Sequence, residues 1–210
     1  NLIRISFFSL FIVLLLFSCT QPSAEENFHA LMQEYHEQTL EMNPIGATFQ
    51  GDIRYNDYLP NYLDDEVIAS QKAFYSETLQ TLHSIDTKDL NLNDQLSKKV
   101  LQWECETNLM GMAFPTELLP INQMWTLQLT MGQLAAGSSA QPFNTVTDYT
   151  NWLSRVDDYI SWLKSAKTRM KEGIAQDVVL PKSLIRKVIP QLQAITEPDL
   201  DKNIFYKPAK

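Results

Sequence analysis

The stretch that decides the fold is Thr145–Gly173, TVTDYTNWLSRVDDYISWLKSAKTRMKEG. Its apolar residues Tyr149, Trp152, Leu153, Val156, Tyr159, Ile160, Leu163, Ala166 and Met170 recur every three or four positions, which on a 3.6-residue helix makes one continuous stripe. Thr145 stands three residues before Asp148, the spacing of a capping box in which each side chain satisfies the other residue's orphaned backbone N–H. Gly173 is placed to end this helix in the left-handed conformation that glycine adopts without a Cβ penalty. So long a stripe needs further helices to cover it.

The segments on either side supply them. Downstream, Pro181 at a first helical position opens a helix carrying Leu184, Val188, Leu192 and Ile195, with a kink expected at Pro190. Upstream, Phe28, Leu31, Met32, Tyr35, Thr39 and Leu40 mark an amphipathic helix that should stop near Asn43-Pro44. A second, from about Asp64 to Ile85, places Asp64, Asp65 and Glu66 at its positive N-terminal end. A third, with Asn93 as candidate cap, shows Leu96, Val100, Trp103, Thr107 and Met110 at alternating steps of four and three. The neighbouring stripe Leu101, Cys105, Leu109 and Met112 predicts a helix buried on two sides.

Two segments read differently. Gly46, Gly51, Asp52, Asn56, Asp57, Pro60 and Asn61 crowd into sixteen residues interleaved with Phe49, Tyr55, Tyr58 and Tyr62, the pattern of an aromatic loop. Residues 113–144 are punctuated by Pro and Gly yet hold many large apolar residues, and so long an apolar segment is expected to pack into or beneath a site. Tyr55, Tyr58 and Trp125 are the candidate pocket or channel linings. Trp103, Trp152 and Trp162, at helical spacing, read as core. No alternating strand pattern and no internal repeat occurs, so the fold class is mostly α, a multi-helix array with long irregular loops.

The front of the chain is an export signal. Arg4 precedes the unbroken apolar run Leu10–Phe17, shorter than the roughly 20 residues of a spanning helix and in the range of a signal-peptide core. Leu16-Phe17-Ser18-Cys19 resembles the lipobox of bacterial lipoproteins, with a small residue before the Cys whose thiol takes the diacylglyceryl group. Residues 1–18 are therefore the expected signal peptide, and residues 19–27 the lipidated Cys19 and its tether. The partner is a membrane, reached through the lipid anchor on the extracytoplasmic side of the cell envelope. Thr20, where no Asp follows the Cys, favours the outer membrane. Asn1 in place of Met leads to the expectation of a start slightly upstream.

Composition narrows the function. With 44% hydrophobic and 20% charged residues the chain is of the globular kind, and a net charge of -8 speaks against nucleic acid, whose phosphates need clustered cations. Cys105 has no partner once Cys19 is lipidated and reads as buried packing. His36-Glu37 begins an H-E-x-x-H motif, but the position of its second His is Leu40, and His29 lies two helical turns away. The sequence thus assigns no metal ligand and no catalytic residue. Asp64-Asp65-Glu66, Asp157-Asp158 and Glu197-Pro198-Asp199 read as helix-end and solvated charges, and Ser138-Ser139 lacks the nucleophile-elbow pattern.

Several pieces together resemble the N-terminal half of a bacterial lipoprotein family known as domain of unknown function 885. They are Asn43-Pro44-x-x-Ala47-Thr48-x-x-Gly51, Leu119-Pro120-Ile121-Asn122-Gln123, Gln141-Pro142-Phe143-x-Thr145-x-x-Asp148-Tyr149, Trp152-Leu153-x-Arg155, Met170-x-x-Gly173, Leu180-Pro181 and Asn203-x-Phe205-Tyr206-x-Pro208. The resemblance implies a mostly helical, metallopeptidase-like parent whose H-E-x-x-H helix and zinc ligands lie downstream, so zinc belongs to the parent and not to this chain. It implies that residues 28–196 form one helical wall of a peptide channel, with residues 197–210 a connector onward to a C-terminal half. The parent is then expected to hydrolyse peptide or amide bonds, and this chain alone to be inactive. The alternative is a complete small helical lipoprotein acting as a binding or scaffolding module.

Overall fold

The computed structural model describes residues 22–210, and no strand occurs among them. The leader and Cys19 lie outside that range. Seven α-helices are formed among the described residues: α1 Ala24–Met42, α2 Pro44–Phe49, α3 Asp65–Ser84, α4 Leu92–Gly111, α5 Leu127–Ala135, α6 Val146–Ala175 and α7 Lys182–Ile195. The fold is mostly α, as the periodicity predicts.

α1 begins inside the expected tether because Ser23 and Glu26 form a capping box, Glu26 N–H donating to Ser23 Oγ at 3.1 Å and Ser23 N–H to Glu26 Oε2 at 2.7 Å. Asn43 ends α1 and starts α2: its N–H donates to Thr39 O, while its Oδ1 accepts from Gly46 N at 3.0 Å. Pro44, at the first position, costs no hydrogen bond there. A Cβ on Gly46 would lie 2.5 Å from Asn43 Nδ2, so a larger residue there would push aside the Asn43 side chain that caps α2. The expected loop over residues 46–61 therefore opens as a helix and continues as a 3-10 turn, Ile53–Tyr55.

α1, α3 and α4 pack as a three-helix unit around Phe28, Leu31, Leu82, Ile85, Leu90, Leu101 and Cys105. α1 and α4 run side by side in the same direction, joined by Glu25 to Asn91, His29 to Asp94 at 2.8 Å and Tyr35 to Glu104 at 2.9 Å. Asn91, not Asn93, caps α4, its Oδ1 accepting from Asp94 N at 3.0 Å. The expected burial of α4 on two sides is corrected as well. Leu101, Cys105 and Lys98 face inward, whereas Leu96, Val100, Trp103 and Met110 are exposed, because α1 and α3 both sit against the Cys105 side. Trp103, expected in the core, is 66% exposed.

The second unit is built on α6. Thr145 and Asp148 form the predicted capping box, and Trp152, Tyr159, Trp162 and Ala166 bury one face against Met131, Leu134 and Ala135 of α5, Val188 of α7 and the loop residues Leu59 and Leu63. Leu153 and Ile160, in the broader predicted stripe, stay exposed because only one side of α6 is covered. Residues 113–144 are partly helical, with α5 inserted into the core and Gln128 satisfied by donating to Asn122 O at 2.7 Å. Gly173 does not end α6 in a left-handed turn. It lies inside the helix, where a Cβ would meet Val178 O at 2.7 Å and Leu118 O at 3.0 Å, and the positive φ falls to Asp177 at 57°. α7 continues through Pro190 as one helix, and residues 197–210, read as a connector, fold back. There Phe205 stacks on Trp152 at 5.8 Å, and Tyr149 Oη donates to Pro208 O at 2.6 Å.

Candidate functional site

α6 carries a polar stripe of its own, Arg155, Asp158, Ser165 and Arg169, spaced three, seven and four so that all lie on one side of the helix. Each holds the aromatic loop. Arg155 is completely buried and donates from Nε to Tyr58 O at 3.2 Å, from one terminal nitrogen to Gln141 Oε1 at 2.7 Å, and from the other to Thr48 Oγ1 at 3.0 Å and to Tyr55 O. Asp158 accepts from Leu59 N at 3.0 Å, Ser165 Oγ accepts from Asn61 Nδ2 at 2.8 Å, and Arg169 donates to Leu63 O at 2.7 and 2.9 Å. A loop of this composition would otherwise be mobile; here its carbonyls and amides are fixed one after another.

No carboxylate touches the Arg155 guanidinium, which is held by neutral oxygens. Burial pushes its pKa down to about 10, against the smaller opposing pull of Tyr62, Asp57 and Asp158. It stays charged at neutral pH and stabilises the loop by satisfying four acceptors at once. Burial also raises the Tyr62 hydroxyl far above its ordinary range.

The loop fixed in this way forms one wall of a groove of about 470 Å3. Tyr58 and Pro60 face Gln38, Glu41 and Met42 of α1 and Glu66, Val67, Ser70, Gln71 and Phe74 of α3. Burial raises the Tyr58 hydroxyl pKa, and the charges of Asp158 and Glu41 add to it. The groove therefore combines apolar walls, two carboxylates at its sides and amide and hydroxyl groups able to pair with a peptide backbone. Among the described residues no three His, Cys, Asp or Glu side chains converge as metal ligands.

The sequence-predicted residues separate. Tyr58 lines the groove. Tyr55 is half-buried and does not line it, with Arg54 5.4 Å over its ring and its carbonyl on Arg155. Trp125 is 75% exposed, on a turn where Asn122 Oδ1 accepts from Met124 N and Trp125 N, and it shares no lining with Tyr58.

The family whose members are described as "Bacterial protein of unknown function (DUF885)" matches residues 44–210. The chain belongs to this family. No curated protein and no solved structure matches it. The matched range of this DUF885 chain takes in the aromatic loop, α3 and the whole of α6, hence every residue of the Arg155 network. Arg155 itself was readable: it is in phase with Trp152, Tyr159, Trp162 and Ala166, and a lone cation inside an apolar stripe must find buried acceptors. Its partners, contributed by residues up to 107 positions away, were not readable.

Proposed function

We propose that this DUF885 chain is the peptide-binding wall of a lipid-anchored cell-envelope protein whose parent hydrolyses peptide or amide bonds. The observation that supports the reading is the groove between α1, α3 and the Arg155-held loop, with Tyr58 at its rim and Glu41 and Glu66 beside it. Such a groove suits an extended peptide carrying apolar and basic side chains, because a peptide backbone can pair with Gln38, Gln71 and Ser70 while its side chains meet Phe74 and Val67. Zinc enters through the family resemblance alone and would be held by residues downstream of this chain, so no step is derived through it.

The reading is tested with membranes from cells expressing the extended reading frame and an internally quenched peptide as substrate. Peptide cleavage is expected, with Tyr58→Ala raising KM several-fold and leaving kcat nearly unchanged, as for a group that binds without taking part in bond breaking. Cleavage no greater than in membranes lacking the gene would overturn it. Anchoring has its own check: radiolabelled palmitate should be incorporated into the wild-type chain and not into Cys19→Ala. Equal labelling of both would remove Cys19 as the acylation site.

A further inference from the structure

The outer face of α4 is a row of apolar residues with nothing over it among the described residues. Leu96, Val100, Trp103, Thr107 and Met110 follow at steps of four, three, four and three, and the four apolar ones are between 53% and 67% exposed. This spacing is the a/d seam of a coiled coil, sustained along most of a 20-residue helix. The opposite face of the same helix, with Leu101 and Cys105, fills the α1–α3 core. A two-thirds exposed tryptophan in the middle of such a seam marks an interaction surface rather than a solvated face.

The charges beside the seam say what covers it. Lys99 and Glu106 occupy equivalent flanking positions one heptad apart, both are exposed, and neither takes part in an ion pair among the described residues. If a second α4 lies antiparallel across the first, the register that sets Val100 against the other copy's Trp103, and Leu96 against its Thr107, also brings each Lys99 to the other copy's Glu106. The same register sets Met110 against the other copy's Asn93 at both ends of the seam. A parallel pair would instead stack the two Trp103 rings and require Glu104, which already accepts from Tyr35 Oη at 2.9 Å.

We propose that a second copy of this chain covers α4, in a two-fold antiparallel helix pair fixed by two Lys99–Glu106 contacts. The interface stands on packing and charge pattern alone and is independent of the peptidase-like reading.

Sedimentation equilibrium of the full chain in a neutral detergent tests it over a hundredfold range of concentration. The wild type should pass from monomer to dimer. Lys99→Glu, which turns both contacts into repulsions, should raise the dissociation constant about tenfold or more. The double exchange K99E/E106K should return it to within about threefold of wild type, since each contact is restored with its sign reversed. All these positions are exposed, and an unchanged circular dichroism spectrum separates lost pairing from lost fold. A monomer at every concentration, including one in which another helix of the same polypeptide covers the seam, overturns the proposal. A dimer that the double exchange fails to restore overturns it equally.

Discussion

At the scale of single residues, Arg155 organises more of the molecule than any other side chain described. Replacing it with Met keeps much of the volume but leaves Tyr58 O, Gln141 Oε1 and Tyr55 O without this donor, while the Thr48 hydroxyl keeps its bond to Pro44 O at 2.9 Å. A buried acceptor left unpaired costs about 1–3 kcal/mol, so Arg155→Met should lower stability by roughly 3 kcal/mol or more, measured by urea unfolding. A loss below about 1 kcal/mol would mean that water replaces the guanidinium freely. Cys105 makes a chemical counterpart. It is fully buried, and burial followed by the Glu104 charge pushes its thiol up to about 11. In a Cys19→Ala background at pH 8, its reaction with a thiol reagent should be at least about a hundredfold slower in the native chain than in urea, because the thiolate is the reacting form. Equal rates would show that the α1–α3–α4 core opens readily.

At the scale of elements, α6 shows what a sequence discloses and what it withholds. Its capping box was legible because the spacing of Thr145 and Asp148 is local, whereas the equally local Ser23–Glu26 box on α1 was passed over because its residues read as part of a polar tether. For Asp148, burial acts to raise the pKa, but the N–H donors of Asn144 and Thr145 together with the Thr145 hydroxyl outweigh it, and the carboxyl is held below its usual range. A lowered carboxyl pKa contributes stability that is fully present above the unfolded value, near 4, and is lost as the pH falls through the folded one. Asp148→Asn should therefore flatten the acid limb of a plot of Tm against pH below about 4, whereas an unchanged limb would show that the cap plays no part in acid unfolding. Gly173 was misread for a tertiary reason. Its need for a bare Cα comes from Val178 O and Leu118 O, not from backbone torsion, and no local pattern announces that contact. Alanine favours helix over glycine by about 1 kcal/mol, so a surface Gly173→Ala would stabilise; here it should destabilise by about 1–3 kcal/mol in thermal unfolding, since backbone must move. The phase of α4 was lost likewise: two apolar stripes were visible, and nothing local decides which of them α1 and α3 would cover.

At the scale of the whole molecule, two helical units meet along the aromatic loop, and that meeting makes the groove. The mostly α class followed from periodicity, and the match over residues 44–210 bears out the family named from Trp152-Leu153-x-Arg155 and its companions. The groove was only half legible. Tyr58 stood out as an aromatic in a loop, but Glu41, Glu66 and Phe74 lie on helices where nothing sets them apart from ordinary surface residues. The central claim is that this groove binds peptide, and fluorescence anisotropy of a dye-labelled casein digest titrated with the chain tests it most directly. Saturable binding that weakens roughly tenfold in Tyr58→Ala, and that falls with added salt through Glu41 and Glu66, is the predicted result. Absence of saturable binding, or binding equally strong in Tyr58→Ala and in a Glu41→Gln, Glu66→Gln double variant, would contradict it.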